Sequence, residues 1–577
     1  MTSVPAVLTA LIRQALDTLD LGDVDLSRQL QGDLVMAAKQ AAHGDYQCNL
    51  AMRVAKPLRT NPRAFGQRLA DALPPHPAID RVEVAGPGFL NLFLADAWLG
   101  EQVAALVADP HLGVPQRQGT VVIDYSSPNV AKRMHVGHLR STVIGAALDR
   151  IHRHAGYRVI ADNHIGDWGT QFGKLIVAWH RWLDADAFDA DPVGELQRIY
   201  VKFAHATDDD PGLEDQARAE TAKLQAGDPE NTALWQRFIQ VSLDDFAVLY
   251  ERMDIQFDEV LGESFYNPML APIVDELLAT GVAELSQDAV ILPFTQADGK
   301  GLEDTPFLIR KRDGAFLYAT TDIATVRHRL DTWQPTKVVY VTDTRQQLHF
   351  RQLFAAVAKF GWVEPGQLLH VWFGLLSLPE GAMSTRKGNV INLEDVLDEA
   401  VRRARAVVDE KSPMLPEAER AAVAEAVGVG AVRYSDLSQN PQSNVKFHWD
   451  RMLSLDGNTA PFLLYSYARG RSIQRKGGIT APQVLAAAPA HVLERDLVLA
   501  LLRFGEAFDA ALRSSRPNLL CDYLFNLATR FNRFYYELNV LEAEPADRAR
   551  RLSLVEANAQ VLAKGLSLLG IRTLERM

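Results

Sequence analysis

The sequence predicts a multidomain α/β protein: a central domain built on a parallel sheet, a small α+β unit before it and an all-helical unit after it. Three observations carry this. Val121-Val122-Ile123, the turn cluster Ser126-Ser127-Pro128-Asn129 and an apolar-periodic segment opening at His135 give strand, turn and helix. Gly156 stands where a helix-ending glycine belongs and residues 157–161 supply a second strand, which makes a strand–helix–strand unit with parallel strands. From Leu455 onward helical patterns dominate.

Length and composition set the bounds. A chain of 577 residues has room for several domains, and 47% hydrophobic with 23% charged residues places it among soluble globular proteins. No apolar run approaches the roughly 18 residues that suggest a membrane span, and the first residues lack the basic stretch of a secretion signal. Cys48 and Cys521 are the only cysteines, so neither a disulfide framework nor a structural zinc site is expected, and a reducing compartment is the natural setting. The net charge of −12 argues against non-specific nucleic-acid binding but leaves a specific RNA partner to local patches.

Along the chain, Leu8, Leu11, Ile12, Ala15, Leu16 and Leu19 share a helical face, and Gly86-Pro87-Gly88 turns between two strands, the second spanning Phe89 to Leu94. This first unit covers residues 1–110. A Pro/Gly linker, residues 110–120, leads into the central domain, residues 111–450. Its stretch of about 184–260 is helical and charge-rich and is expected to be a solvated insertion. Residues 164–173 carry three glycines at a spacing that fits neither the P-loop nor the dinucleotide fingerprint, so a packed turn is expected there. The last unit, residues 451–577, holds two basic clusters, 469–476 and 530–536. In the second, Phe531, Phe534 and Tyr535 fall at helical spacing and are expected in the core rather than stacked on bases.

The mouth of the first helix is where an open α/β sheet binds phosphate. Helix N-terminal N–H groups carry partial positive charge, and the crevice lies at the carboxyl ends of the strands. Gly137 leaves room beside the backbone, His135 and His138 can donate to phosphoryl oxygens, and Lys132 and Arg133 supply cations.

The run SSPNVAKRMHVGHLRST, residues 126–142, resembles the signature of class I aminoacyl-tRNA synthetases in the form found in arginyl-tRNA synthetases. HGDYQCN and AGPGFLNLFL in the first unit, and HIGDWGTQFG at 164–173, are similar to segments of the same family. The resemblance covers essentially the whole chain. It implies a Rossmann-like catalytic domain, an appended N-terminal domain that touches the outer corner of tRNA, and a C-terminal anticodon-binding domain. It implies an arginine–tRNA ligase that makes arginyl-adenylate from L-arginine and ATP with Mg²⁺, requires bound tRNA for that step, and then loads tRNA(Arg). His135 and His138 would stabilise the phosphoryl transition state. Residues 381–389 resemble the KMSKS loop of class I enzymes, with Ala382 in place of its first lysine. Met383, Ser384 and Lys387 would then bind ATP with His135, Gly137 and His138, and Lys132 would stand in for the missing cation.

A pocket for a guanidinium needs a carboxylate and an aromatic wall. Tyr318 and Asp322, in a YxTxD segment, match the family's arginine-binding pair, near the entrance of a helix expected to begin at Thr320 or Thr321. Asp124, Ser126, Asn129 and Gln346 match its other substrate contacts. No resident protein-bound metal is expected, and the protein is expected to be a cytoplasmic monomer. The alternatives are a non-catalytic tRNA-binding paralogue or another class I synthetase. A cysteinyl type is hard to build with two cysteines, and a small HxGH nucleotidyltransferase needs far less chain.

Overall fold

Four short apolar runs make the sheet on which the site is built: β1 (Thr120–Asp124), β2 (Arg158–Asp162), β3 (Lys337–Asp343) and β4 (Leu368–Phe373). In the computed structural model, which describes residues 3–32, 34–377, 391–479 and 483–577, they lie in the order β4-β3-β1-β2. Every neighbouring pair is parallel. Val121, Val122, Ile123, Val338, Val339 and Val341 are all buried, as a parallel sheet covered on both faces requires. β1 is followed by β2 on one side and flanked by β3 on the other, so the strand order reverses at β1. The crevice between the carboxyl ends of β1 and β3 is the switch point at which such sheets bind ligands.

The helices that matter here are α1 (Val136–His154), α2 (Pro192–Asp209), α3 (Pro229–Arg252), α4 (Tyr318–Trp333), α5 (Gln347–Lys359), α6 (Leu393–Lys411) and α7 (Glu417–Leu437). α1 follows β1 and ends at Ala155, with Gly156 at φ +94° just beyond. It packs against the start of its own loop: a Cβ on Gly145 would lie 2.2 Å from the Tyr125 side chain. Arg140 on α1 is fully buried. It donates from Nε to Asp436 of α7 at 2.7 Å and from Nη1 to the carbonyls of Gly374 and Ser443 at 2.7 and 2.9 Å. Both α2 and α3 belong to the insertion. That insertion is not the solvated excursion its charge suggests: Phe203, Phe238 and Phe246 are buried, and α3 reaches the loop after β1, as described below. An antiparallel sheet of Glu284–Ser286, Ala289–Leu292 and Phe307–Arg310 precedes α4. These elements form one compact unit, residues 117–454 with 568–571.

The second compact unit joins the two ends of the chain: residues 1–116, 455–567 and 572–577. A four-stranded antiparallel sheet, with Tyr46–Cys48 and Phe89–Leu94 at its centre, packs with the terminal helices. Phe89–Leu94 does not alternate in burial, because Leu90, Asn91 and Leu92 are all buried. Arg495 crosses from Val492–Leu502 to Asp45 at 2.7 and 2.9 Å and to Asp96 at 2.7 Å. Phe531 and Phe534 are buried in the helical core, whereas Tyr535 is only half-buried. Tyr535, Tyr536 and Tyr465 instead surround the Arg469 guanidinium. Among the described residues no helix is long and apolar enough to cross a membrane.

The close approach at Gly145 gives a direct test. Gly145→Ala forces Tyr125 away and should destabilise the sheet unit by about 1–3 kcal/mol. Thermal unfolding should show a lower midpoint, and an unchanged midpoint would contradict the packing.

Candidate active site

The loop after β1 is strained. Ser126, Ser127 and Ala131 have φ of +72°, +50° and +61°, a region that residues with a Cβ seldom adopt. Neighbouring elements hold it there. Ser126 N donates to Ser141 Oγ at 3.0 Å, and the Ser126 hydroxyl bonds Thr142 and Tyr250, each at 2.8 Å. Ser127 N donates to Asn163 Oδ1 at 3.0 Å and Ala131 N to Ser242 Oγ at 2.8 Å. Tyr250 and Ser242 come from α3, so the insertion braces the signature loop.

This arrangement corrects the assignment of Ser126. Its hydroxyl is committed inside the fold, and the half-buried Ser127 is the serine beside Asp124, with its hydroxyl 3.0 Å from Oδ1. Asp124 itself is largely buried. Its Oδ2 accepts from Arg329 of α4 at 2.7 Å, and Arg329 also donates to Asp162 at 3.0 and 2.7 Å. Asp124 is therefore first an anchor for Arg329, and what it can offer a ligand is on Oδ1. Asn129 is exposed at the mouth of the loop.

At the start of α1 the two histidines cap each other. Gly137 N donates to His135 Nδ1 at 3.0 Å and His135 N donates to His138 Nδ1 at 3.1 Å, with the rings stacked 4.0 Å apart. Val136 N donates to the carbonyl of Ile391 at 3.1 Å, and His138 N to that of His135 at 2.8 Å. The amides of Val136, Gly137 and His138 are thus all used, and the expectation of unpaired helix N–H groups at the phosphate site fails. The donors are on the rings instead. Because each Nδ1 accepts, each neutral ring carries its proton on Nε2. Gly137 is needed for this cap rather than for ligand room: a Cβ there would lie 2.6 Å from the His135 ring. Burial lowers the pKa of both rings. Next to it act Lys132 and Arg345 on His135, and His135 on His138, which falls to about 3.

Lys132 is exposed and lies 4.8 Å from the Tyr200 ring centroid, with no hydrogen-bond or ion-pair partner among the described residues. Arg133 is not available for phosphate. It pairs with Asp191 at 2.5 Å and with Glu394 at 3.1 Å. A main-chain clip joins the loop to the start of α6: Leu393 N donates to the Met134 carbonyl at 2.9 Å, opposite the Val136–Ile391 bond. Met383, Ser384 and Lys387, with Ala382, lie outside the described residues.

The second half of the site is acidic. α4 begins at Tyr318, two residues before the expected start, because Thr320 is not its cap: its hydroxyl is spent on the Ile309 carbonyl of the neighbouring strand. Tyr318 and Asp322 therefore stand one turn apart on its first turns. Tyr318 is 67% exposed, and Asp322 meets His349 Nε2 of α5 at 2.5 Å. Glu263, which no sequence pattern singled out, completes the cluster. Burial and the charges of Asp322 and Asp167 raise its pKa to about 8. The 164–173 segment is the packed turn expected, and it places Glu263: Glu263 N donates to the Ile165 carbonyl at 3.1 Å, while Asp167 accepts from Ser264 N at 2.8 Å and Oγ at 2.6 Å. Gln346, after β3, is exposed with its amide unpartnered among the described residues. Arg345 beside it, also missed, pairs with Asp343 at 2.5 Å and acts on His135. The edge between β1 and β3 thus carries neutral N–H donors and cations on one side and a carboxylate pair on the other.

Three family models match the chain: "Arginyl tRNA synthetase N terminal domain" over residues 6–94, "tRNA synthetases class I (R), catalytic domain" over 102–449 and "DALR anticodon binding domain" over 463–577. An arginine–tRNA ligase of Fusobacterium nucleatum is 45% identical over 555 residues, covering 96% of each chain. One of Cellvibrio japonicus is 41% identical over 554 residues, covering 94% of this chain and 96% of its own. The solved arginyl-tRNA synthetase of Thermus thermophilus superposes with a TM-score of 0.83 at 27% identity, covering the whole of both chains.

The histidine geometry makes a prediction. Nitrogen-15 spectra at pH 7 should show both rings neutral with the proton on Nε2, and His138 should stay neutral at pH 5. Folded pKa values below the unfolded 6.5 mean that the unfolded chain binds more protons, so this pair withdraws stability as pH falls below about 6.5. A proton on Nδ1 of either ring would refute the mutual cap.

Proposed function

The chain belongs to the arginyl-tRNA synthetase family and is an arginine–tRNA ligase; within that activity we propose the following roles for its residues. The observation that carries them is the pairing, at one sheet edge, of the Nε2–H donors of His135 and His138 with the Glu263–Asp322 carboxylates.

L-Arginine places its guanidinium between Asp322 and Glu263, with Tyr318 as the aromatic wall and Ser127, Asn129, Gln346 and Oδ1 of Asp124 for its other polar groups. A planar cation suits a two-carboxylate grip. The carboxylate of arginine attacks the α-phosphorus of ATP, the bond to pyrophosphate breaks, and arginyl-adenylate forms. His135 and His138 donate from Nε2 to the phosphoryl oxygens as charge develops, and Lys132 and Lys387 meet the remaining negative charge. Mg²⁺ would accompany ATP and offset phosphate charge. A ribose hydroxyl at the 3′ end of tRNA(Arg) then attacks the arginyl carbonyl and AMP leaves. No enzyme nucleophile takes part. The intact His135, His138 and Asp322 favour this over a non-catalytic tRNA-binding paralogue. The two cysteines are buried and outside any disulfide, which supports a reducing cytoplasmic setting, and the working form proposed is a monomer.

Pyrophosphate exchange into ATP, run with each amino acid with and without tRNA, tests the reading. Exchange is expected with L-arginine alone, and only with tRNA present; exchange with another amino acid would overturn the pocket. Asp322→Ala should abolish arginine-dependent exchange, and full activity in that variant would remove Asp322 from the site.

The raised pKa of Glu263 adds a pH prediction. The incoming guanidinium favours the ionised carboxyl, so arginine binding at pH 7 should release roughly 0.9 proton. Affinity should therefore rise about tenfold per unit from pH 6 towards 8 and level off above it. Calorimetry in buffers of different ionisation enthalpy measures the release, which Glu263→Gln should abolish. Proton release undiminished in Glu263→Gln would assign it elsewhere.

A further inference from the structure

Two cations stand side by side in the signature loop, and the structure treats them in opposite ways. Arg133 collects acids. It bonds Asp191 at the start of α2 and Glu394 in the first turn of α6. Asp245 of α3 lines the same cavity of about 230 Å³ as Arg133 and Glu394. Lys132 has no acid partner among the described residues. Its ammonium rests on the face of Tyr200, two turns further along α2 than Asp191, with the centroid 4.8 Å away. A ring face attracts a cation within about 6 Å without occupying its N–H donors. A carboxylate would occupy them and cancel the charge.

We propose that Tyr200 is a positioning residue for adenylate formation: its ring holds Lys132 with its N–H groups free for the phosphates of ATP, while Arg133 draws Asp191, Glu394 and Asp245 away from that lysine. The proposal rests on the role given above to Lys132. Lys132 stands close enough to His135 for its charge, after burial, to help keep that ring neutral. One helix of the insertion supplies both instructions, Asp191 at its N-cap for the arginine and Tyr200 in its third turn for the lysine. This gives the insertion a part in the chemistry of the sheet domain that its solvated appearance in sequence conceals.

The test is a double-mutant cycle in arginine-dependent pyrophosphate exchange, with full-length protein and saturating tRNA. Y200L removes the ring face and should lower kcat about tenfold, with the KM for arginine and the unfolding midpoint unchanged. Y200F keeps the face and should restore most of the lost rate. K132A should be slow by itself, and Y200L/K132A should be no slower. An equal penalty for Y200L in the wild-type and K132A backgrounds, or equal losses in Y200F and Y200L, would overturn the proposal. So would K132A exchanging at the wild-type rate. If Y200L fails to fold, R133M reads the charge side: it should slow exchange by freeing acids to capture Lys132, and R133M/D191N/E394Q should recover. A triple variant as slow as R133M would overturn the sorting of charge. Wild-type protein that exchanges no arginine would sink the ligase reading itself, which the cycle leaves untouched.

Discussion

The turn after β1 runs backwards. Ser126, Ser127 and Ala131 sit in left-handed backbone that costs of order 1–3 kcal/mol each, and it persists because side chains from α1, α3 and the end of β2 bond its amides. The histidine half of the site follows from that forced path. It turns the Ser126 hydroxyl inward and leaves that of Ser127 against Asp124. It brings Met134–Val136 alongside Ile391–Leu393, so that two main-chain bonds tie the loop after β1 to the start of α6. It also delivers His135 to α1 as a cap, which is what fixes both ring protons on Nε2.

Charge in the interior is arranged by the same logic. Arg329 and Arg140 are buried with carboxylates on them, Asp124 and Asp162 for the first and Asp436 for the second. Removing one member of such a set strands a buried charge, which is worth far more than the set contributes when whole. These arginines therefore make position costly to change. Arg329 fixes α4 against β1 and β2, and α4 carries Tyr318 and Asp322. The acidic pocket is indexed to the sheet by an ion network seven residues further along its own helix. Glu263 arrives by an independent route, through the packed turn at 164–173, and burial, followed by the charges of Asp322 and Asp167, raises its pKa.

Much of this was legible in the sequence. The apolar run at 121–123 reads as a buried strand, and the signature segment points, by resemblance, to the sheet edge where His135 and His138 stand. What escaped was decided by tertiary geometry. Glu263 follows a long helical stretch, and nothing in Gly-Glu-Ser tells that it meets Asp322. The choice between Ser126 and Ser127 turns on a left-handed path through both residues, which an ordinary serine pair does not advertise. Thr-Thr-Asp reads as a cap, which would start α4 two residues late, whereas Thr320 bonds a neighbouring strand. Arg133 and Lys132 look alike in sequence and differ only in what α2, α3 and α6 bring to them. The insertion looked solvated because its charges are many, although its few aromatic residues do the packing.

The unit that joins the two chain ends has a consequence in time. Asp45 and Asp96 wait for Arg495, and roughly 340 residues of the other unit lie between Gln116 and Leu455. At ribosomal speeds of about 5–20 residues per second, that is a delay of about 20 to 70 seconds. Throughout it the first 116 residues are out of the ribosome while the helices that will bury Tyr46 and Asp45 do not yet exist. The order of synthesis thus makes the N-terminal segment the first part of the chain to need shelter and among the last to be finished.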